Sequence, residues 1–395
     1  MKAIICGAGI AGLSLSWWMQ RHGWEVLVVE RAPALRNEGY MMDFFGSGYD
    51  AAELMGILPQ LSAVSYDVSD VTNVDERGRP TSHLSFATFR RMQHGRLLSV
   101  MRGDLEHVLH AALGDRVELR FGRSIDAVTS ARDHVTVTLT DGPREDADLL
   151  VGADGIHSRV RELTFGPERA FMRNLGYHTA AYVFTDHALW SRLDGPFRMR
   201  AAPGRQAGVY RLRGDRVATF YAHVAGDEAV PDDPRAALQR IYGDMGWLIP
   251  EVLAHCPEPP ELYYDTVAQI EMPAWSHNRV TLVGDACQAV SLLAGQGASM
   301  AMGGAYVLAD GLARTSDVPA ALIGYEQRVK PAIDRTQAAG RRTADWFVPA
   351  TAWRIAARDL VLRLAVMPGL AWLLRPILTT ATDSIVPSRA ATQPA

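Results

Sequence analysis

At 395 residues the chain is long enough for roughly two or three domains of about 150 residues each. With 48% hydrophobic and 21% charged residues it has an ordinary globular make-up, and a net charge of −4 leaves no basic footprint for nucleic acid. Three cysteines, Cys6, Cys256 and Cys287, lie far apart with no CxxC pair, which argues against a disulfide framework or zinc site and for a reducing cytoplasm.

The N-terminus, MKAIICGAGIAGLSLSWWM, has the apolar texture of a signal peptide. Glycines interrupt it, however, and it runs directly into a second strand pattern, so a folded start is expected. Residues 2–6 read as a buried strand, 10–22 as a helix ended at Gly23, and 25–30 as another strand. That is a βαβ unit, the building block of doubly wound sheets. Between its first strand and helix lies Gly7-Ala8-Gly9-Ile10-Ala11-Gly12, a GxGxxG turn. Gly7 permits the tight turn, Gly9 admits a pyrophosphate close to the backbone, and Gly12 lets helix and strand pack closely. Glu30, at the end of the second strand, is placed to accept ribose hydroxyls; its charge disfavours a 2′-phosphate, so FAD or NAD is expected rather than NADP.

"ATFRRMQHGR" is a short basic run expected as a solvated face or loop, and "RGDLEHVLHAAL" from Arg102 has helical periodicity. His107 and His110 share a face of that helix, but no third ligand is evident, so a polar face is expected rather than a metal site. Residues 116–121 and 134–140 alternate as hairpin strands do, and "ADLLVGADG" supplies a continuous buried strand. From about 175 to 268 strand-like runs separated by "PGRQ" and "RGD" turns predict an antiparallel sheet. Tyr210, Arg211 and Tyr221 on it are candidates to face a substrate.

A parallel-type strand returns at Val280 and stops at Gly284-Asp285, and the loop beyond ends at Gly297-Ala298 where a helix begins. NAD alone does not require this second anchoring point; FAD does, because its ribityl chain and ring must be held away from the adenosine loop. Asp285 can accept from ribityl hydroxyls, and a helix N-terminus can stabilise the charge that develops on a reduced flavin. A helix is expected from about Ala320 to Trp346. The apolar stretch from Asp359 to Ile377 is broken by Arg363, Pro368 and Arg375, which predicts packed helices rather than a membrane span.

GAGIAG with Glu30, "ADG" within "DLLVGADGIHSRVR", and "GDACQAVSLLAGQG" stand in an order and spacing over residues 1–345 that resemble the class A FAD-dependent monooxygenases, the para-hydroxybenzoate hydroxylase-like family. "RNEGYMMDFFGSGYDAAELMGI" and "RGDLEHVL" look most like the tetracycline-inactivating and related antibiotic-modifying or biosynthetic members. The resemblance implies that Arg102 contacts FAD, that Asp43 helps fix the flavin and shape the pocket, and that Arg36 and neighbouring Arg31 lie where flavin or nicotinamide nucleotide is touched. It also implies that Asp154 supports FAD and NAD(P)H use and that Gly284 and Asp285 hold the ribityl chain. Two positions depart from the family: Gln288 where His is common, and Leu292 where Pro is common, which predicts a less rigid loop beside the ring.

The expected fold is therefore α/β: a doubly wound, Rossmann-like FAD domain from 1–72, 96–172 and 270–345, an inserted β-sheet substrate domain from 73–95 and 173–269, and C-terminal helices over 346–395. The implied reaction is hydroxylation of an aromatic or polyketide-like small molecule by NADH or NADPH and O2 through a flavin C4a-hydroperoxide. No catalytic side chain, metal, nucleic-acid partner or membrane span is implied. A flavin dehydrogenase or reductase that excludes O2, and a flavin-binding protein that only sequesters a ligand, are the rival readings.

Overall fold

The computed structural model describes residues 1–35, 39–259, 261–291, 295–365 and 384–387. Lys2–Cys6 and Glu25–Glu30 are parallel strands joined by the Ile10–Arg21 helix, as the sequence predicts. Leu149–Gly152 lies on the other side of Lys2–Cys6, and Val280–Leu282 pairs parallel with it. Val26–Val29 and Leu149–Val151 are buried, as strands covered on both faces require.

One expectation is corrected here. Glu118–Phe121 does not form a hairpin with the segment near 135; it pairs parallel with Glu25–Glu30 and edges the six-stranded sheet. Val135–Leu139 is instead the middle of a three-stranded antiparallel sheet, between Ile125–Ser130 and Arg144–Ala147. Alternation specifies a half-buried strand but not its neighbour.

A second, seven-stranded sheet draws its strands from 70–85 and 172–270. Phe197–Ala202, Arg205–Arg211 and Arg216–Val224 form an antiparallel run within it. Between the large sheets, Met41–Phe45 and Leu97–Met101 form an antiparallel ribbon. The Gly297–Arg314 helix follows the second glycine turn, and Val318–Phe347 and Ala352–Ala365 are also helical. Residues 366–383 and 388–395 of the expected C-terminal helices lie outside the described residues. Among the described residues no helix is long and apolar enough to cross a membrane.

Candidate active site

The two glycine turns meet. Gly7 has φ +109°, and a Cβ there would sit 2.3 Å from the Ala153 carbonyl oxygen; Gly12 leaves room for the Gly7 carbonyl, 1.9 Å from where its own Cβ would be. Gly284, at φ +63°, abuts the first helix, with a Cβ position 2.6 Å from Ala11 Cβ. Only glycine meets both demands, a left-handed backbone and such close approach. Gly9 differs: nothing lies nearer its Cβ position than Glu106 Oε1 at 3.7 Å, so the space above the turn is open. The Ile10–Arg21 helix has no side-chain cap, nor does Gly297–Arg314, so the first-turn N–H groups of both are left for a ligand.

Both turns open on a cavity of about 700 Å³, within the range of small-molecule sites. Gly7, Gly9, Ala11, Glu30, Arg31, Asp43, Arg102, Asp154, Asp285, Gly297, Ala298 and Tyr210 line it. Gly12 and Gly284 stand behind its wall, as packing positions. Arg36 and Leu292 lie outside the described residues.

Glu30 ties the first turn to its strand: its carboxylate accepts from Ala8 N–H and Ala32 N–H, each at 2.8 Å. Asp154 accepts from Ser158 Oγ, Arg159 N–H and Val160 N–H, so it caps the Arg159–Phe165 helix while lining the cavity. Arg102 pairs with Glu106 at 3.0 Å, and Glu106 is nearly fully buried. Asp285 is exposed, and the space it faces is the cavity. Its depth in the protein pushes the carboxyl's pKa up, while Arg102 pulls it down.

The Gln288 departure has a structural account. Its Oε1 accepts from Gly284 N–H at 3.2 Å, its Nε2 donates to Tyr325 Oη at 2.6 Å, and Tyr325 Oη donates to the Leu282 carbonyl. The side chain is buried against Gly304 and braces the strand–loop corner. Gln269 and Gln337 pin the next part of the loop by donating to the Val290 and Ala289 carbonyls, both at 2.9 Å. Leu292, on which the less rigid loop is predicted, lies outside the described residues.

The substrate-facing expectations divide by strand parity. Tyr210 lines the cavity; its ring stacks on Phe197 at 4.6 Å and its hydroxyl accepts from Met41 N–H at 2.9 Å. Arg211, one residue on, faces the other side and lies over Trp190. Tyr221 also faces away: it is fully buried in a separate core with Tyr182, their hydroxyls 2.9 Å apart. Phe220 is the cavity-facing residue of that strand. Tyr221→Phe is therefore expected to cost about 1 kcal/mol of stability in a thermal melt without changing ligand affinity. Phe220→Ala is expected to weaken ligand binding.

Sequence reasoning missed several lining residues. Tyr40 and Tyr263 pack with ring centroids 5.7 Å apart near Arg102, and burial lifts the Tyr40 phenol to about 12. Asp265 and Glu168 flank His157, and these hydrogen bonds, Asp265 first, raise the imidazole to about 9. Tyr263 and Asp265 fall in no motif, and Tyr40 and His157 fall inside quoted stretches without a role of their own. The "ATFRRMQHGR" run, residues 87–96, begins within the helix Phe86–Met92 and ends in a turn; Phe86, just before it, and Phe89 line the cavity while Arg91 is exposed. The three-residue spacing of Phe86 and Phe89 is the signal for this.

Residues 1–338 match the model of a family described as FAD binding domain. An uncharacterised protein of Mycobacterium tuberculosis is 33% identical over 80% of this chain and 85% of its own. A flavin-dependent monooxygenase from an unknown prokaryotic organism is 30% identical over 88% of this chain and 90% of its own. Among solved structures, the tetracycline destructase Tet(51) superposes with a TM-score of 0.80 at 25% identity, covering 100% of this chain and 99% of that one.

Proposed function

The chain belongs to the FAD-binding domain family of flavin-dependent monooxygenases, and from that membership we propose that it hydroxylates a flat aromatic or polyketide-like small molecule with NAD(P)H and O2. The observation that carries this reading is the continuity of one cavity. It runs from the first glycine turn, past Asp285 and the uncapped helix at Gly297, to a wall of Phe86, Phe89, Phe197 and Phe220. Such a space suits a long cofactor at one end and a flat apolar ring at the other.

The residues present fit FAD. Gly7, Gly9 and Ala11 with the helix start are the proposed seat of the pyrophosphate, Glu30 and Arg31 of the adenosine, and Arg102 of the central part. Asp285 takes the ribityl chain, with Gly284 behind it setting the turn, Gly297-Ala298 take the flavin edge, and Asp43 and Asp154 complete the wall. The bound flavin would supply the redox chemistry, by the C4a-hydroperoxide route that the resemblance implies. The chain's own part is to bind, orient and keep water out.

We further propose that 1–72, 96–172 and 270–345 form the FAD domain, 73–95 and 173–269 the substrate domain, and 346–395 a C-terminal segment. The separation of the two large sheets supports this division. A cytoplasmic setting is proposed on the three free, buried cysteines.

The test is turnover of flat aromatic and polyketide probes with NADPH or NADH under 18O2. Label in the product is expected; substrate-stimulated reductant consumption with no label would instead favour the oxygen-excluding reductase.

A further inference from the structure

We infer that the Ala352–Ala365 helix docks the protein on an anionic bilayer surface, lying in the plane of the lipid headgroups. The helix is built inside out. A surface helix of a globular protein turns its apolar stripe inward and its charges to water. Here the buried face carries Arg358 and Asp359 beside Leu362. Arg358 donates to Gln206 Oε1 and Asn73 Oδ1, each at 3.3 Å, and Asp359 accepts from Thr81 Oγ1 at 2.6 Å. A polar seam thus fastens the helix to the second sheet.

The opposite face is apolar and open. Trp353 is 67% exposed and Leu360 55%. They stand seven residues apart on one side of the helix, with exposed Ala356 and Ala357 between them and half-buried Leu364 one turn further on. Single apolar side chains on a surface need no explanation, but a continuous stripe does. Among the described residues no other helix presents two large apolar side chains this exposed.

The borders of the stripe say what covers it. At about 3.6 residues per turn, Arg354 falls along one edge and Arg363 along the other, and both are exposed. The Arg354 guanidinium lies 5.7 Å from the Trp353 ring centre, and Arg363 is steadied by donating to the Thr81 carbonyl. The helix's single acid, Asp359, is on the buried face. An apolar middle that includes an indole, with arginines on both margins, matches the layers of a bilayer interface: acyl chains beneath the stripe, phosphates level with the guanidinium groups. Two copies pressed stripe to stripe would instead bring arginine margins together, with no acid on either helix face to offset them. With 14 residues the helix is too short to span a bilayer, so it lies along the surface.

The Pro80–Ser85 strand, which holds the helix through Thr81, also carries Leu84, and Leu84 lines the cavity with Phe86 and Phe89. Trp346 and Phe347, shortly before the helix, line it too. Docking therefore turns the apolar end of the cavity towards the lipid.

The test floats the full chain in a density gradient with two kinds of vesicle, phosphatidylcholine alone and three parts phosphatidylcholine to one part phosphatidylglycerol. Binding to the anionic vesicles is expected to be about ten- to thirtyfold tighter than to the neutral ones, and to weaken as salt is raised. Trp353→Ser combined with Leu360→Ser should weaken it by about ten- to a hundredfold, with melting temperature and flavin content unchanged. Ala357→Glu, a good helix former at an exposed position, sets a carboxylate in the middle of the stripe and should abolish flotation in the same way. Wild-type protein that does not float, or variants that float as well as wild type, would overturn the inference. A wild-type dimer that both variants dissolve would also overturn it, by giving the stripe to a second copy. So would a sharp fall in melting temperature in both variants, because other residues of the chain would then cover the stripe.

Discussion

Gly12→Ala is expected to yield protein that neither holds FAD nor melts cooperatively near the wild-type temperature. The Cβ it introduces would lie 1.9 Å from the Gly7 carbonyl oxygen and 3.1 Å from its carbon, both backbone atoms. No rotamer relieves that contact, so the helix must withdraw from the strand. Overpacking a core costs typically 1–3 kcal/mol where side chains can shift; here backbone must move, so a loss above ~3 kcal/mol is expected. Against a typical stability of 5–15 kcal/mol that is a large fraction. Gly9→Ala is the control. Its Cβ meets nothing closer than 3.7 Å, so the fold should survive while the methyl occupies the space a pyrophosphate needs. Thermal unfolding and flavin content together separate the two variants. A Gly12→Ala protein that is yellow and melts normally would show that the turn is looser than its geometry implies.

The contrast between these glycines also shows what the sequence could and could not disclose. The GxGxxG spacing announces the turn, and the Gly284-Asp285 turn follows a recognisable strand. Both are local, carried by backbone demands that only glycine satisfies. That the two turns touch, Gly284 against Ala11, is a fact of sheet order, which places Val280–Leu282 two strands from Lys2–Cys6. The substrate wall was less legible. Tyr210 and Arg211 are adjacent on one strand, so alternation forbids both from facing the same cavity. Choosing between them required knowing which face the Met41–Phe45 ribbon covers, a long-range contact with no sequence signature. Tyr221 and Phe220 pose the same choice one strand over, and aromatic character, which both share, cannot make it. The role of Gln288 had no signal of its own either: its side chain turns inward to Gly284 and Tyr325, a contact set by the fold.

Arg102→Met should have the second large effect, and it tests two roles at once. Arg102 is about one-third exposed at its side chain, 34%, while Glu106 beneath it is 5% exposed. Removing the guanidinium takes the neighbouring cation from a buried carboxylate, for which about 3–5 kcal/mol is usual; the partial exposure of Arg102 lowers the expectation to about 2–4 kcal/mol. Adding Glu106→Gln removes that buried charge and should recover most of the lost stability. It should not recover FAD affinity if Arg102 itself touches the cofactor, because a methionine offers neither charge nor donors. The informative outcome is therefore a double variant that melts near wild type yet stays largely colourless. If FAD binding returns together with stability, Arg102 acts only as the partner of Glu106, and the positive end of the cavity must be supplied by Arg31 and the two uncapped helices.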